Sequence, residues 1–212
     1  MQNTQVLKFF EDMSKNQKDN PKSVKLACGT DYTQIDSDFI MRYANKNTSL
    51  LDIGTGTGLI VNKIFNKIRE IYCIEPYSEF TKFIIKSNNV FIFNKNFFDF
   101  QTDKAFDLIT IFGTMHYVNE NEAVEIYKKS YSLLKKNGHI IIKNQFGVDE
   151  DVNISGYSEE QKTNYYAQYR YINKEINILK EIGFKNIEKF DIYPPEANRW
   201  DNTHFLAIVG EK

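Results

Sequence analysis

The chain has 212 residues, enough for one well-buried domain and short for two. Its 27 Lys and Arg residues and 28 Asp and Glu residues leave a formal net charge of −1. Such a charge gives no electrostatic reason for the protein to capture nucleic acid or an anionic membrane. No apolar run approaches the roughly 20 residues needed to span a bilayer. The composition therefore predicts a globular domain that has neither nucleic acid nor membrane as a partner.

The two cysteines and the first residues favour a cytoplasmic setting. Cys28 and Cys73 lack the spacing of a metal or redox site, and Cys73 lies in an apolar run. Free structural cysteines suit a reducing compartment. The polar start, Met-Gln-Asn-Thr-Gln, carries no apolar signal-peptide segment. We expect a cytoplasmic monomer or homodimer without a metal site.

The first predicted element is a helix, marked by apolar residues at helical spacing: Val6, Phe9, Phe10 and Met13. A polar break through Asn20-Pro21 follows it. A second helix is predicted over residues 36–43, with Asp36 or Ser37 as its cap.

From residue 49 onward, strands and helices alternate. Strands are predicted over residues 49–53, 70–74, 90–93, 106–112 and 139–143, and helices over 58–68, 78–86 and 120–134. The last of these helices has an Asn119 cap with Glu122 three residues later, and Gly138 follows its end. Continuous apolar strands that alternate with helices predict an α/β fold with a parallel sheet covered on both faces.

The last part of the chain departs from this alternation. Residues 147–167 are polar, which predicts an irregular surface insertion or lid. A helix over 173–182, ended by Gly183, precedes two predicted strands over 186–193 and 204–209. The loop between these strands is too short for a crossover helix, so they are expected to be antiparallel neighbours.

The most informative run is residues 50–58, Leu-Leu-Asp-Ile-Gly-Thr-Gly-Thr-Gly. Three glycines (Gly54, Gly56 and Gly58) follow an apolar strand that carries Asp52 near its end. Glycine adopts unusual dihedrals and lets a ligand approach without meeting a Cβ. Open α/β sheets bind ligands at the carboxyl ends of their strands. The spacing is not the Gly-x-Gly-x-x-Gly of dinucleotide binding, because Leu59 stands where the third glycine is needed.

From about residue 36 to its end, the chain resembles the class I S-adenosylmethionine-dependent methyltransferases. Four features carry the resemblance in order: the glycine turn with Asp52, Glu75 after the second predicted strand, Asn96-Phe97 after the third, and residues 105–109 through His116. The closing helix, Gly183-Phe184 and the final hairpin resemble the family's antiparallel seventh strand.

This resemblance implies a Rossmann-like fold: a seven-stranded, mostly parallel sheet with an antiparallel last strand and helices on both faces. It also implies a single methyltransferase domain. Residues 1–47 would form a helical cap, and residues 48–212 a cofactor-binding core with a substrate-side insertion over 147–171.

The resemblance implies S-adenosylmethionine as cofactor and S-adenosylhomocysteine as product. Glu75 would accept hydrogen bonds from both ribose hydroxyls, a role that would serve NAD equally well. Asp52 would face the methionyl ammonium or, alternatively, cap the amides of its own loop. Asn96 would offer its amide oxygen to adenine and Phe97 its backbone N–H. The other cofactor residues are Thr55 and Pro76, Phe112 and Gly113 as walls of the methionine moiety, and Tyr32 over its end.

His116 lies on the loop after residues 106–112, where a nucleophile approaching the methyl group would pass. The cofactor supplies the electrophile, so the protein orients the acceptor and removes its proton. An ordinary histidine pKa of about 6.5 suits a general base; an orienting or structural histidine is the alternative. The loop Thr114-Met115-His116-Tyr117 lacks the Asn-Pro-Pro-Tyr type of pattern carried by amino-group DNA and protein methylases, which favours a small-molecule acceptor.

In this family the acceptor is often selected by the N-terminal helices and the segment before the last helix. The candidates are Tyr117, Tyr165, Tyr166, Tyr169, Arg170, Tyr171, Trp200 and His204. Arg170 is the sharpest of them, because a guanidinium holds a phosphate or carboxylate bidentately; a solvated surface position is its alternative. The chain also loosely resembles methyltransferases of bacterial capsule and surface-polysaccharide loci, including the O-methyl phosphoramidate type. That likeness implies an anionic acceptor, consistent with Arg170, Lys22 and Lys25.

Other functions stay open from the sequence. They are an NAD-dependent oxidoreductase and a non-catalytic cofactor-binding regulatory protein; a nucleic-acid methylase is disfavoured because the chain carries no basic stripe. The favoured interpretation is methyl transfer to an oxygen or nitrogen of a small polar metabolite.

Overall fold

A computed structural model describes residues 4–16, 19–22, 30–158, 163–198 and 200–212. The helices are α1 (Thr4–Asn16), α2 (Thr33–Ile40), α3 (Val61–Ile64), α4 (Ser78–Thr81), α5 (Glu120–Leu133) and α6 (Ile172–Ile182). The strands are β1 (Ser49–Ile53), β2 (Glu70–Ile74), β3 (Val90–Phe93), β4 (Phe106–Phe112), β5 (Leu134–Gly147), β6 (Val152–Ser158), β7 (Thr163–Tyr169), β8 (Lys185–Asp191) and β9 (Thr203–Glu211). No helix among these residues is long and apolar enough to cross a membrane.

A seven-stranded sheet forms the centre of the fold, in the order β3-β2-β1-β4-β5-β9-β8. The pairs among β1 to β5 are parallel, and β9 is antiparallel to both β5 and β8. The predicted α/β fold, with a mostly parallel sheet and an antiparallel last strand, is therefore confirmed. The order reverses beside β1, because the chain runs from β1 outward to β3 and then returns to β4. Such a switch point opens a crevice at the carboxyl ends of the strands.

Both faces of the sheet are covered, as continuous apolar strands require. All five residues of β1 are buried. One face packs its apolar side chains with those of α5 and α6, and the other face with those of α2 and α3. Helix α5 begins at the predicted capping box, in which Asn119 accepts from the Glu122 N–H and Glu122 accepts from the Asn119 N–H.

The helices after β1 and β2 are much shorter than the predicted spans of 58–68 and 78–86. The Asn62 side chain accepts a hydrogen bond from the Ile85 N–H at 2.8 Å and donates one to the Phe83 carbonyl at 2.9 Å. Helix α4 has already ended at Thr81: the N–H groups of Phe83 and Ile84 bond three residues back, and the Ile85 N–H then bonds to the Asn62 side chain. Residues Phe65–Lys67 continue α3 as a short 3₁₀ turn.

The prediction that residues 147–167 form an irregular insertion was wrong. Strand β5 runs on to Gly147, and β6 and β7 form a two-stranded antiparallel hairpin. Val152 pairs with Tyr169 and Ile154 with Ala167. A period of two, with apolar residues at alternate positions, is present in the sequence. The intervening Asn and Ser residues made it resemble a polar loop.

The N-terminal residues lie against the carboxyl end of the sheet. Phe9 and Met13 of α1 pack on Phe80 of α4, and the Tyr77 hydroxyl donates to the Leu7 carbonyl at 2.9 Å. Helix α2 begins at Thr33, so Asp36 is not the predicted cap; its side chain is fully buried instead.

Candidate functional site

A cavity of about 1000 Å³ lies at the carboxyl ends of β1, β2, β4 and β5. Its position is the crevice that the strand order predicts. Fifteen of the cofactor and acceptor candidates named from the sequence line it: Tyr32, Asp52, Gly54, Thr55, Gly56, Glu75, Pro76, Asn96, Phe97, Phe112, Gly113, His116, Tyr117, Tyr169 and Trp200.

The glycine turn needs its glycines for two reasons. Gly54, Gly56 and Gly58 all have positive φ angles, of 76°, 57° and 75°. A Cβ on Gly54 would lie 2.2 Å from the Thr114 hydroxyl oxygen, so the loop after β4 packs directly on the turn. A Cβ on Gly58 would lie 2.7 Å from the side chain of Ile84. Gly58 is not among the lining residues of the cavity, and it packs against the segment after α4; its cofactor contact stays a prediction.

Glu75, just after β2, is held by the turn itself. One carboxylate oxygen accepts from the Gly56 N–H at 3.0 Å, and the other accepts from the Tyr77 N–H at 3.1 Å. The side chain is only 6 % exposed. Burial raises the pKa of Glu75 to about 7, although the two N–H groups act in the opposite direction. The fold thus fixes a carboxylate at the cavity wall in an environment that penalises its charge.

Asp52 is anchored from the neighbouring strand. The Thr110 hydroxyl of β4 donates to an Asp52 carboxylate oxygen at 2.6 Å, and the Thr55 hydroxyl donates to the Asp52 carbonyl at 3.0 Å. The side chain is buried and lines the cavity. Asp52 thus lines the cavity, and the hydroxyl from its own loop reaches its backbone carbonyl; both roles given to its carboxylate from the sequence stay predictions.

The Asn96-Phe97 segment follows β3 as the start of a 3₁₀ turn. The Asn96 side-chain oxygen accepts from the Phe98 N–H at 3.0 Å, so the oxygen assigned to adenine already caps this turn. The Lys129 ammonium fixes the segment from α5 by donating to the Phe97 carbonyl at 2.7 Å. Phe97 is buried in the core and borders the cavity.

Gly113 gives the cavity an open floor between β4 and β5. Its φ is 67°, and a Cβ placed there would meet nothing within 4 Å. Its N–H donates to the Lys143 carbonyl at 2.8 Å, which keeps the turn on the sheet. The cavity thus offers three features that fit S-adenosylmethionine. The Glu75 carboxylate is an acceptor for a diol, the Asp52 side chain is an acceptor for an ammonium, and the open space at Gly113 has room for a methionine backbone.

His116 lies on a 3₁₀ turn after β4 and is half-buried. Its Nδ1 is 3.3 Å from the Asn144 side-chain oxygen of β5. Its ring lies between two tyrosines, with centroids 4.0 Å from Tyr117 and 5.5 Å from Tyr169. These contacts fix the ring plane at the cavity wall.

Aromatic side chains close the cavity opposite the glycine turn. Phe9 and Phe10 of α1 pack on Tyr117, with ring centroids 6.3 and 4.7 Å away. Tyr157 of the β6–β7 hairpin and Trp200 also line the cavity, yet both are exposed, at 59 % and 41 %. We place them at the mouth for that reason. The first predicted helix and the supposed polar insertion thus both build the cavity wall.

A buried ion pair at the wall was missed from the sequence. The Lys143 ammonium lies 3.3 Å from an Asp36 carboxylate oxygen and donates to the Tyr193 hydroxyl at 2.9 Å. The Tyr193 hydroxyl donates to the other Asp36 oxygen at 2.7 Å. A signal was available, since Lys143 follows three consecutive isoleucines in a predicted parallel strand, and buried charges require partners.

Two predicted acceptor residues lie elsewhere. Arg170 is 2 % exposed and does not line the cavity; its guanidinium pairs with Glu175 and donates to the Val118 carbonyl at 2.6 Å. The structure therefore places Arg170 in a buried pair with Glu175 and not on the cavity wall, where the predicted anion clamp would need to be. His204 is likewise absent from the lining and lies 2.8 Å from an Asp191 oxygen at the sheet edge.

The remaining acceptor candidates divide into three groups. Trp200 lines the cavity, whereas Lys22, Tyr166 and Tyr171 do not. Lys25 and the side chain of Tyr165 lie outside the described residues.

Comparisons with known proteins agree with this geometry. Residues 51–140 match the family model described as a methyltransferase domain. An uncharacterized methyltransferase of Staphylococcus carnosus is 24 % identical over 145 residues, which cover 63 % of this chain and 69 % of that protein. Uncharacterized methyltransferases of Bacillus cereus are 28 % identical over 118 residues, and the match spans about half of their length, 55 %.

Solved structures share the fold. An S-adenosylmethionine-dependent methyltransferase from Clostridium acetobutylicum superimposes with a TM-score of 0.67 at 15 % identity, covering 93 % of this chain and 98 % of the other. One from Mesorhizobium loti gives 0.66 at 12 % identity, covering 87 % and 100 %. The DhpI-SAM-HEP complex gives 0.74 at 10 % identity and covers 100 % of both chains.

Proposed function

We propose that this chain is an S-adenosylmethionine-dependent methyltransferase of the class I fold that methylates an oxygen or nitrogen of a small anionic metabolite. One observation carries the proposal: a single cavity joins the cofactor residues to an aromatic wall that contains His116. At about 1000 Å³ it lies at the upper end of the range for ligand pockets. Such a volume suits a cofactor and a second small molecule together.

In this proposal the cofactor is held by residues from four loops. Glu75 accepts from the ribose, Asp52 faces the ammonium, and the Asn96-Phe97 segment borders the adenine. Gly113 supplies the open floor for the methionine part. When bound, S-adenosylmethionine supplies an electrophilic methyl group, and its sulfur retains the electron pair of the broken bond.

His116 is proposed to take the proton that the hydroxyl or amino group of the acceptor loses. If its Nδ1 carries hydrogen and donates to the Asn144 oxygen at 3.3 Å, its Nε2 is left as the base. The rings of Tyr117 and Tyr169 restrict how the imidazole can turn. A fixed base beside a fixed methyl donor lowers the barrier by orientation as well as by proton transfer.

The acceptor is proposed to be small because α1 and the β6–β7 hairpin both border the cavity. Negative charge on the acceptor is supported by Lys143 in the cavity wall, since Arg170 lies in a buried pair with Glu175. The formal charge of −1 gives no support to a nucleic-acid substrate. A capsule or surface-polysaccharide precursor remains a prediction from the likeness of the sequence.

The test is formation of S-adenosylhomocysteine with pools of candidate acceptors, weighted toward phosphorylated metabolites and nucleotide-activated precursors. Turnover with one pool supports the proposal, and deconvolution of that pool then identifies the acceptor. If the protein binds S-adenosylmethionine but no pool is turned over, a small-molecule acceptor is contradicted. If it binds no S-adenosylmethionine, the cofactor assignments themselves fail.

A further inference from the structure

Lys143, Asp36 and Tyr193 join three separate parts of the chain at one point of the cavity. Lys143 is near the end of β5, Asp36 is in α2, and Tyr193 follows β8. Lys143 is 2 % exposed and Asp36 0 %. The three side chains form a closed triangle of contacts at 3.3, 2.9 and 2.7 Å.

The three side chains differ in their position relative to the cavity. Lys143 and Tyr193 line the cavity, whereas Asp36 does not and lies fully buried behind them. The ammonium nitrogen is 5.3 Å from the Phe112 ring centroid, 4.7 Å from that of Tyr193 and 5.9 Å from that of Phe205. All three rings belong to the cavity wall. The ion pair therefore presents its cationic end to the cavity and its anionic end to the core.

The charged residues described in the cavity lining are mostly acidic, and Lys143 is the exception. Asp52, Glu75 and Glu122 are acidic lining residues. Among the lining residues that the structure describes, Lys143 contributes the one Lys or Arg side chain. An ion pair in the interior loses hydration on both partners, and an apolar pair of similar volume often packs as stably. Stability alone therefore gives little reason for a charge pair here.

The location separates Lys143 from the ribose-binding end. Lys143 is the register partner of Phe112, one residue before Gly113, where the proposed methionine part ends. The next residue on the same side of β5 is Gln145, which also lines the cavity and pairs in register with Phe205 of β9. Glu75, by contrast, follows β2, on the far side of β1 in the sheet.

We propose that the Lys143 ammonium forms an oxyanion subsite that receives a carboxylate or phosphate group of the methyl acceptor. Asp36 and Tyr193 are its positioning residues, because the Tyr193 hydroxyl donates its proton to Asp36 and accepts from Lys143, so that both hold the ammonium in place. This inference rests on the proposed function and gives the acceptor a chemical class: a molecule with an oxyanion at one end and an apolar or aromatic body that packs on Phe112, Tyr193 and Phe205.

The test uses the whole protein saturated with S-adenosylhomocysteine. Phenyl phosphate and the uncharged benzyl alcohol are titrated in separate calorimetric experiments, and benzoate is the third probe. Wild type is expected to bind phenyl phosphate or benzoate at least about tenfold more tightly than benzyl alcohol. The Lys143→Met/Asp36→Asn variant replaces the ion pair without leaving a lone buried charge, and it should lose that preference.

Two further variants sharpen the result. Tyr193→Phe should weaken oxyanion binding severalfold while benzyl alcohol binding stays the same. Lys104→Met is the matched control, because it removes a partly exposed lysine that pairs with Glu70. Glu70 is the first residue of β2, at the opposite end of that strand from the cavity. That control should retain the full preference.

The outcomes separate the alternatives. Loss of the preference in the double variant, with S-adenosylhomocysteine affinity within about twofold of wild type, supports the subsite. If that variant instead weakens S-adenosylhomocysteine about tenfold, the anion is the cofactor's own carboxylate and the proposal is overturned. Wild type without any oxyanion preference overturns it as well. Each of these readings requires cofactor binding, so failure of the proposed function would show first, as absent S-adenosylhomocysteine binding.

Discussion

The Glu75 carboxylate accepts a hydrogen bond from the Gly56 N–H at 3.0 Å across 19 positions of sequence. This bond ties the end of β2 to the glycine turn after β1, so the two cofactor motifs position each other. The N–H of Tyr77 meets the second carboxylate oxygen at 3.1 Å. Burial nevertheless raises the pKa of Glu75 to about 7, which makes its charge sensitive to pH near neutrality.

Cofactor affinity should therefore depend on pH through Glu75. The ionised carboxylate accepts hydrogen bonds from a ribose at both oxygens, and the protonated acid accepts fewer. The dissociation constant for S-adenosylhomocysteine should be flat above pH 7 and rise by up to about tenfold per unit below it. Calorimetry across pH 5.5 to 8.5 measures this dependence. Glu75→Gln should bind more weakly with a flat profile; an equally steep profile in that variant would assign the effect to another group.

The same shift has a consequence for stability without ligand. The folded-state pKa of Glu75 lies above its unfolded value of 4.5, so the folded protein binds the extra proton between these values. Glu75 therefore lowers stability as pH rises toward 7, by an order of about 3 kcal/mol in total. Relative to wild type, Glu75→Ala should become more stable as pH is raised from 5 to 8, as measured by urea unfolding. A pH-independent difference would contradict the raised pKa.

Two glycines with similar backbones should respond differently to alanine. Gly54 and Gly113 both have positive φ, but a Cβ on Gly54 would lie 2.2 Å from the Thr114 hydroxyl, whereas Gly113 faces open space. Gly113→Ala should cost about 1 kcal/mol from backbone strain, and Gly54→Ala about 3 kcal/mol or more because overpacking adds to it. Urea unfolding gives both values. Gly156→Ala, with no neighbour within 4 Å of its Cβ, is the control and should change stability by about 0.5 kcal/mol at most. Equal losses at Gly54 and Gly113 would mean that the loop after β4 yields to the new methyl group.

The central sheet could be predicted from sequence because its signals are local. The apolar run of β1 and the capping box at Asn119 each lie within a few neighbouring residues. The motifs at Asp52, Glu75 and His116 follow strand ends, so the strand order alone brings them to one edge. The fold, and the placement of the predicted cofactor residues at one cavity, therefore followed largely from short-range patterns.

The acceptor side could not be predicted in the same way. Lys143 and Asp36 are 107 positions apart, and Tyr193 and Asp36 are 157 apart. A lysine that follows three isoleucines in a predicted buried strand indicates that its charge has a partner, but the sequence does not say which residue that partner is. The sequence did not indicate the partner of Arg170 either. Its partner Glu175 is five positions away, across the start of α6, at a distance that no helical spacing marks.

Arg170 should be essential for folding stability and not for acceptor affinity. Its guanidinium pairs with Glu175, which also receives the Tyr127 hydroxyl, and all three side chains are fully or almost fully buried. Arg170→Met should cost about 3–5 kcal/mol, because a buried carboxylate loses its partner, and Arg170→Met/Glu175→Gln should recover part of that loss. Urea unfolding tests both variants. Lys174→Met, which breaks a partly exposed pair with Glu120, should cost about 1 kcal/mol at most. An acceptor KM that rises in the stable double variant would restore the anion-clamp prediction.

His116→Ala should separate catalysis from cofactor binding. The imidazole borders the cavity beside Asn144 and Tyr117, whereas Glu75 is held by the N–H groups of Gly56 and Tyr77. Turnover of an acceptor that is methylated on a neutral hydroxyl or amino group should fall by about 10²–10⁴, while the dissociation constant of S-adenosylhomocysteine stays within about twofold. Raising the pH should recover part of the lost rate, because hydroxide then takes over the removal of the proton. His139→Ala is the matched control: it removes a half-buried histidine near the opposite end of the paired part of β5 and should leave turnover unchanged. Wild-type turnover in His116→Ala would exclude it as the base, and a loss of rate that no pH recovers would reassign the ring to orienting the acceptor.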